Sequence, residues 1–165
     1  MTHNEFGRVF QDNKDAVYNF ALRLTGSAAA AEDLTQDCFL ELLRHPSAYN
    51  PQRGSMRAFL LGVTRNLVHQ RWRRERATEP LVESAAVVLP DSIAGSISTF
   101  IAAAIQALPP LQREAILLFE YEGFTLEETA SIVDTDVGTV KSRLHRARDR
   151  LRRTLAPLRN RVEQP

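Results

Sequence analysis

Seven cations stand close together near the C-terminal end of the chain. Lys141, Arg143, Arg146, Arg148, Arg150, Arg152 and Arg153 have the lone acid Asp149 among them within DVGTVKSRLHRARDRLRRTL, which itself starts on Asp136 and runs to Leu155. Guanidinium forks and ammonium groups at this density suit phosphates, and an arginine can also bond two acceptors on a guanine edge. The chemistry offered is therefore recognition of a polyanion. A basic amphipathic stretch is also commonly no more than a solvated face, so the elements that carry it must decide.

Val137, Val140, Leu144, Ala147, Leu151 and Leu155 recur every three or four residues, which makes the stretch a helix with one apolar stripe. Asp136 is placed to cap it. Just before it, TLEETASIVDT from Thr125 predicts a shorter helix, with Thr125 and Glu128 at capping-box spacing and Ala130, Ile132 and Val133 available to pack. Two helices joined by a tight turn, the second basic, outline a helix-turn-helix whose second helix enters the major groove. Small residues at its start, Gly138, Thr139 and Ser142, allow close approach to a phosphate backbone. Ser142, His145, Arg146 and Asp149 share one helical face.

GTVKSRLHRARDRLR resembles the promoter-reading helix of the extracytoplasmic-function (ECF) group of sigma-70-type sigma factors. The resemblance aims Lys141, Ser142, Arg143, His145 and Arg146 at a −35 element. The turn departs from it, because relatives usually have a glycine and an apolar residue where this chain has Asp134 and Thr135. Asp tolerates a left-handed conformation better than most residues, so the turn can still form.

The 165 residues suffice for one domain or two small ones, and 44 % apolar residues support folded cores. Net charge is only +1 but unevenly spread. Residues 1–45 carry Glu5, Asp12, Asp15, Glu32, Asp33, Asp37 and Glu41 against Arg8, Lys14, Arg23 and Arg44, while cations concentrate in 65–76 and from Lys141 onward. Cys38 is the only cysteine, which excludes an intramolecular disulfide and a multi-cysteine metal site, and its apolar register favours a buried thiol. No apolar run approaches the ~18 residues of a membrane span, and the N-terminus lacks a signal-peptide core, so a cytoplasmic protein without membrane insertion is expected.

Read from the N-terminus, Phe6, Val9, Phe10, Val17, Phe20, Ala21 and Leu24 predict a helix closed by Gly26. Ser27 caps a second helix that runs to about Arg44, with Leu34, Cys38 and Leu42 on one side. Asp33, Gln36 and Asp37 form a polar patch on another side. Such a patch is usually solvated surface. AEDLTQDCFLELL, however, resembles the sigma-factor segment that docks on the clamp helices of the largest RNA polymerase subunit, which makes Asp33, Gln36 and Asp37 expected polymerase contacts.

YNPQRGSM, from Tyr49, is a loop by its Pro51 and Gly54. A helix resumes near Arg57 with Phe59, Leu60, Val63 and Leu67 as its expected buried face. The stretch from Arg53 to Arg74 resembles the family's −10 module, whose loop takes an unstacked base of the non-template strand. A base pocket needs polar edge-readers, a stacking surface and nearby cations. Tyr49, Asn50, Gln52, Ser55 and Met56 are candidates to line it, with Arg65 and Asn66 beside it; spacing leaves open which of them do. Trp72 either packs at the helix end or stacks on a base, and packing is the favoured reading.

The composition changes over ATEPLVESAAVVLPDSIAG, 77–95, where prolines and missing periodicity mark a flexible linker. Beyond it, Phe100, Ile101, Ala104, Ile105 and Leu108 predict a helix stopped by Pro109 and Pro110. LQREAILLFEYEG predicts another, with Leu111, Ala115, Leu118 and Phe119 inward. The expected architecture is all-α: sigma region 2 over 1–76, a linker, and sigma region 4 with its helix-turn-helix over 96–165.

The resemblance, in the right order along nearly the whole chain, implies a promoter-specificity subunit with no catalytic residues, cofactor or metal of its own. Its implied partners are core RNA polymerase, through the clamp helices and the flap, promoter DNA and an anti-sigma factor. His3, His45, His69 and His145 are scattered, and no phosphate loop or nucleophile motif appears. The rival readings are a stand-alone helix-turn-helix regulator and a helical protein-interaction module.

Overall fold

Apolar periodicity and capping residues divide the chain into seven α-helices, as the computed structural model of residues 1–78 and 96–162 describes them. The region assigned to the linker falls almost wholly outside the described residues. Helix α1, His3–Thr25, begins with a two-way capping box between Thr2 and Glu5 and ends where Gly26 turns left-handed, φ 69°. Helix α2, Ala28–Arg44, starts as the Oγ of Ser27 accepts from the Ala30 N–H. Two short 3₁₀ turns, Pro46–Ala48 and Pro51–Arg53, carry the loop into α3, Met56–Thr78. The three helices pack on each other around Val17, Phe20, Leu24, Leu34, Cys38, Leu42, Leu60, Leu61 and Val68, all buried. At roughly 1.5–3 kcal/mol per large apolar side chain, this burial is what holds the module.

The buried face of α3 differs from the expected one. Leu60, Leu61, Thr64 and Val68 point inward, while Phe59, Val63 and Leu67 are only partly covered. Thr64 is tolerated there because its hydroxyl donates to the Leu60 carbonyl one turn back, at 2.8 Å.

The second module comprises α4, Ile97–Gln106; α5, Pro110–Ile116; α6, Leu126–Ile132; and α7, Val137–Val162. After α5 the chain passes through a π turn, Leu117–Tyr121. A π turn adds a residue to the helical repeat and rotates everything after it. Ile116, Leu117 and Leu118 are all buried where α5 runs into this turn, whereas Leu111, expected inward, stands in the first turn of α5 and is 43 % exposed. The apolar stripe of α7 behaves as its periodicity predicts, with Val140, Leu144 and Ala147 buried and Val137 and Leu151 partly so.

The two modules lie against each other, and their apolar interiors form one cluster. Along the seam α1 meets α4 and α5, and α3 meets α6.

Candidate nucleic-acid and polymerase interfaces

The helix-turn-helix is set by local chemistry. Thr125 and Glu128 exchange both capping-box bonds, at 3.1 Å each, and fix the start of α6. Asp134 then takes φ 53°, and among the described residues it is the only non-glycine with positive φ. Asp136 caps α7. Its Oδ1 accepts from the Thr139 N–H at 2.7 Å and its Oδ2 from the Thr139 hydroxyl at 3.0 Å, and these bonds lower the carboxyl pKa. The recognition helix thus begins at Val137.

On α7, Lys141, Ser142, His145 and Arg146 are exposed and point away from the core. Arg143 does not join them. Its side chain is 19 % exposed and turns inward, with Nη1 4.0 Å from Glu114 Oε1. Asp149 serves its own helix, 3.5 Å from His145 Nε2 and 3.4 Å from Arg152 Nη1.

The loop between α2 and α3 is braced from within. Asn50 Oδ1 accepts from the Gln52 N–H at 2.9 Å, the Tyr49 hydroxyl donates to the Gly54 carbonyl at 3.3 Å, and the Tyr49 ring leans on Phe59. Beside it opens a cleft of about 560 Å³, lined on this side by Tyr49, Asn50, Ser55, Arg65 and Asn66 among others. Gln52 is exposed outside the lining, and Met56 is half-buried against the core. The opposite wall comes from the second module: Ala130, Ser131, Ile132, Asp134 and Thr135. Trp72 is half-buried beside His69, with the Arg113 guanidinium 5.9 Å from its ring centre, in keeping with packing.

On α2, Asp33, Gln36 and Asp37 are exposed, and Leu34, Cys38 and Leu42 behind them are buried. Asp33 Oδ2 lies 3.9 Å from Arg71 Nη1, so α3 contributes a cation to the margin of the patch. Burial pushes the Cys38 thiol up to about 11, and its Sγ donates weakly to the Leu60 carbonyl.

Comparison with known proteins follows the same division. The Sigma-70 region 2 profile matches residues 9–78, and the Sigma-70 region 4 profile matches residues 101–151. The chain is 37 % identical to ECF RNA polymerase sigma factor EcfG of Rhodopseudomonas palustris, over 80 % of this chain and 75 % of that protein. It is 31 % identical to ECF RNA polymerase sigma factor SigL of Mycobacterium tuberculosis, over 91 % of this chain and 88 % of the relative. The chain belongs to the ECF RNA polymerase sigma factors.

Another relative, SigE of Mycolicibacterium smegmatis, is 35 % identical over 88 % of the chain, which spans 60 % of the length of that relative. Among solved structures, the sigma factor RpoE of Bartonella quintana, in complex with the anti-sigma factor NepR, superimposes with TM-score 0.76 at 28 % identity. It covers 92 % of this chain and 97 % of RpoE. CnrH in complex with the cytosolic domain of CnrY shares the fold, at TM-score 0.70 and 21 % identity, over 94 % of this chain and 90 % of CnrH.

In this sigma factor the polar patch and the loop cleft belong to region 2, and the helix-turn-helix belongs to region 4. Two features escaped the sequence reading. Leu40 and Leu43 on α2 are 43 % and 51 % exposed, and Leu40 lies one turn beyond Gln36 and Asp37. An apolar residue continuing a polar face was the available signal. The other is Glu114, fully buried yet ionisable, for which the local sequence offers no signal at all.

Proposed function

We propose that this sigma factor binds core RNA polymerase through Asp33, Gln36 and Asp37 and directs promoter-specific initiation. Region 4 reads a −35 duplex with Lys141, Ser142, His145 and Arg146. Region 2 captures the melted −10 strand in the cleft of Tyr49, Asn50, Ser55, Arg65 and Asn66. The observation that carries the reading is the exposed face of α7, presented by a doubly capped helix-turn-helix and backed by Val140, Leu144 and Ala147.

The subunit performs no chemistry; the polymerase makes the RNA. It works in the cytoplasm, and no helix among the described residues is long and apolar enough to cross a membrane. An anti-sigma factor is its natural antagonist, in line with the complexes in which similar proteins have been solved.

Run-off transcription with purified core enzyme on genomic fragments tests the proposal: new start sites are expected only when the chain is added. Electrophoretic shift separates the rivals. A stand-alone regulator shifts DNA alone, a sigma factor mainly as holoenzyme, and a protein-interaction module in neither case.

A further inference from the structure

A second cleft, of about 510 Å³, opens between the later turns of α3, the start of α5 and one side of α7. Helix α3 supplies His69, Trp72, Arg73 and Arg76 to its lining, and α7 supplies Arg143 and Arg146. No acid lines it. Glu114 lies behind the wall, fully buried, and is already engaged by Arg65 and His69. Arg143 approaches that carboxylate only to 4.0 Å.

The remaining arginines are uncommitted. Arg73, Arg76 and Arg146 are exposed and have no acidic partner among the described residues, whereas the nearby Arg71 pairs with Asp33 and Glu75. Guanidinium groups gathered around one concavity repel each other and focus a positive potential into it. An anion with several charges relieves that repulsion. The groups converge on a single cavity, which suits phosphates linked to one another better than phosphates spaced along a strand.

Two atoms of the lining residues also lack partners. Arg143 Nη1 and Gln112 Oε1 are buried, and neither makes a hydrogen bond among the described residues. A buried polar atom left unpaired is destabilising, so the wall favours a ligand that accepts at one point and donates at another. A phosphate accepts, and a ribose or a base edge donates.

Trp72 adds a flat surface. Its ring is half-buried, with its centre 5.5 Å from that of His69, and Pro109, Pro110 and Leu111 extend the apolar lining. An aromatic ring beside guanidinium groups suits a nucleobase, because every base has a π face. The volume falls within the roughly 300–1,000 Å³ usual for small-molecule sites.

We propose that this cleft binds a free nucleoside polyphosphate, with the base against Trp72 and the phosphates held by Arg73, Arg76, Arg143 and Arg146. Gln112 Oε1 accepts from the sugar or the base. Neither promoter assignment is needed for the site.

The test uses the full chain at low salt. Trp72 is the only tryptophan, so its emission reports on this cleft, and calorimetry gives the affinity independently. ATP or GTP should quench Trp72 saturably. Inorganic triphosphate, which has the charge without the base, should bind about tenfold or more weakly, as should AMP and GMP, which have the base with fewer charges. Arg73→Gln with Arg76→Gln, both exposed, should keep the helix content by circular dichroism and weaken ATP or GTP by about tenfold or more. Arg8→Gln with Arg44→Gln removes the same charge far from the cleft and should bind as the parent does. Absence of saturable binding at millimolar nucleotide overturns the site, and so does equal weakening by the two pairs. Triphosphate binding as tightly as ATP and GTP overturns the nucleoside, leaving an anion site only. A single-stranded oligodeoxynucleotide that quenches Trp72 more tightly than either nucleotide makes the cleft a strand contact and overturns the free ligand.

Discussion

Arg65 Nε and Glu114 Oε1 are 3.0 Å apart although 49 positions separate the residues in the chain. That bond spans the seam between region 2 and region 4. Both side chains are nearly or wholly covered, at 13 % and 0 % exposure, so it belongs to the interior. It commits an arginine expected at the promoter to a carboxylate of the same chain.

On the proposed assignment of α7 to the −35 duplex, two kinds of contact are expected. Arg146 is exposed on the face proposed to read bases, and Arg146→Ala should cost about 1–3 kcal/mol at one base position and relax preference there. Arg150→Ala or Arg153→Ala should weaken binding evenly and reduce the salt slope by about one unit. Holoenzyme titrations on single-base promoter variants at several salt concentrations give both readings. Uniform weakening by Arg146→Ala would make it a backbone contact.

The polar patch on α2 should matter for assembly rather than for folding. Asp33 is 68 % exposed, and exposed charges contribute at most about 1 kcal/mol to stability. Asp33→Lys with Asp37→Lys should therefore sharply weaken capture of core polymerase while the thermal midpoint barely moves. Leu40→Asp should weaken it too, because Leu40 extends the same face. Undiminished capture by a folded variant would take the patch out of the interface.

The cap of α7 carries a pH signature. Bonds from the Thr139 N–H and hydroxyl lower the Asp136 carboxyl pKa, so the ionised cap stabilises the fold above the ordinary carboxylate range. That contribution is lost as pH falls through the lowered folded value. Asp136→Asn retains an acceptor without a titrating charge, and melting curves at neutral and acid pH should show it less acid-sensitive than the parent. Equal acid sensitivity would mean that the cap is not what titrates.

Cys38 should be inert while the chain is folded. The thiol is fully buried and pushed up to about 11, and only the thiolate reacts with alkylating reagents or disulfides. Labelling at neutral pH should become measurable only in denaturant. Rapid labelling of the native protein would contradict the packing of α2 on α3.

Much of this structure follows from residues close together in the chain. The capping box at Thr125, the caps Ser27 and Asp136, the left-handed turn at Asp134 and the stripe of α7 use partners within about a helical turn. Their physics is local, so a reading of the sequence finds them, and the outward set of Lys141, Ser142, His145 and Arg146 comes with them. The tertiary structure alone decided the rest. Helical period says which residues share a face but not which neighbour that face meets, so Leu61 and Thr64, rather than Phe59 and Val63, form the covered side of α3. Leu111 shares a face with the buried Ala115 one turn on, yet it stands in the first turn of α5, where no neighbouring element among the described residues covers it. Arg143 and Arg65 read as cations free for DNA until folding brought Glu114 between them. The energy of that cluster depends on burial and on partners far away in the chain, and neither is written in any local pattern.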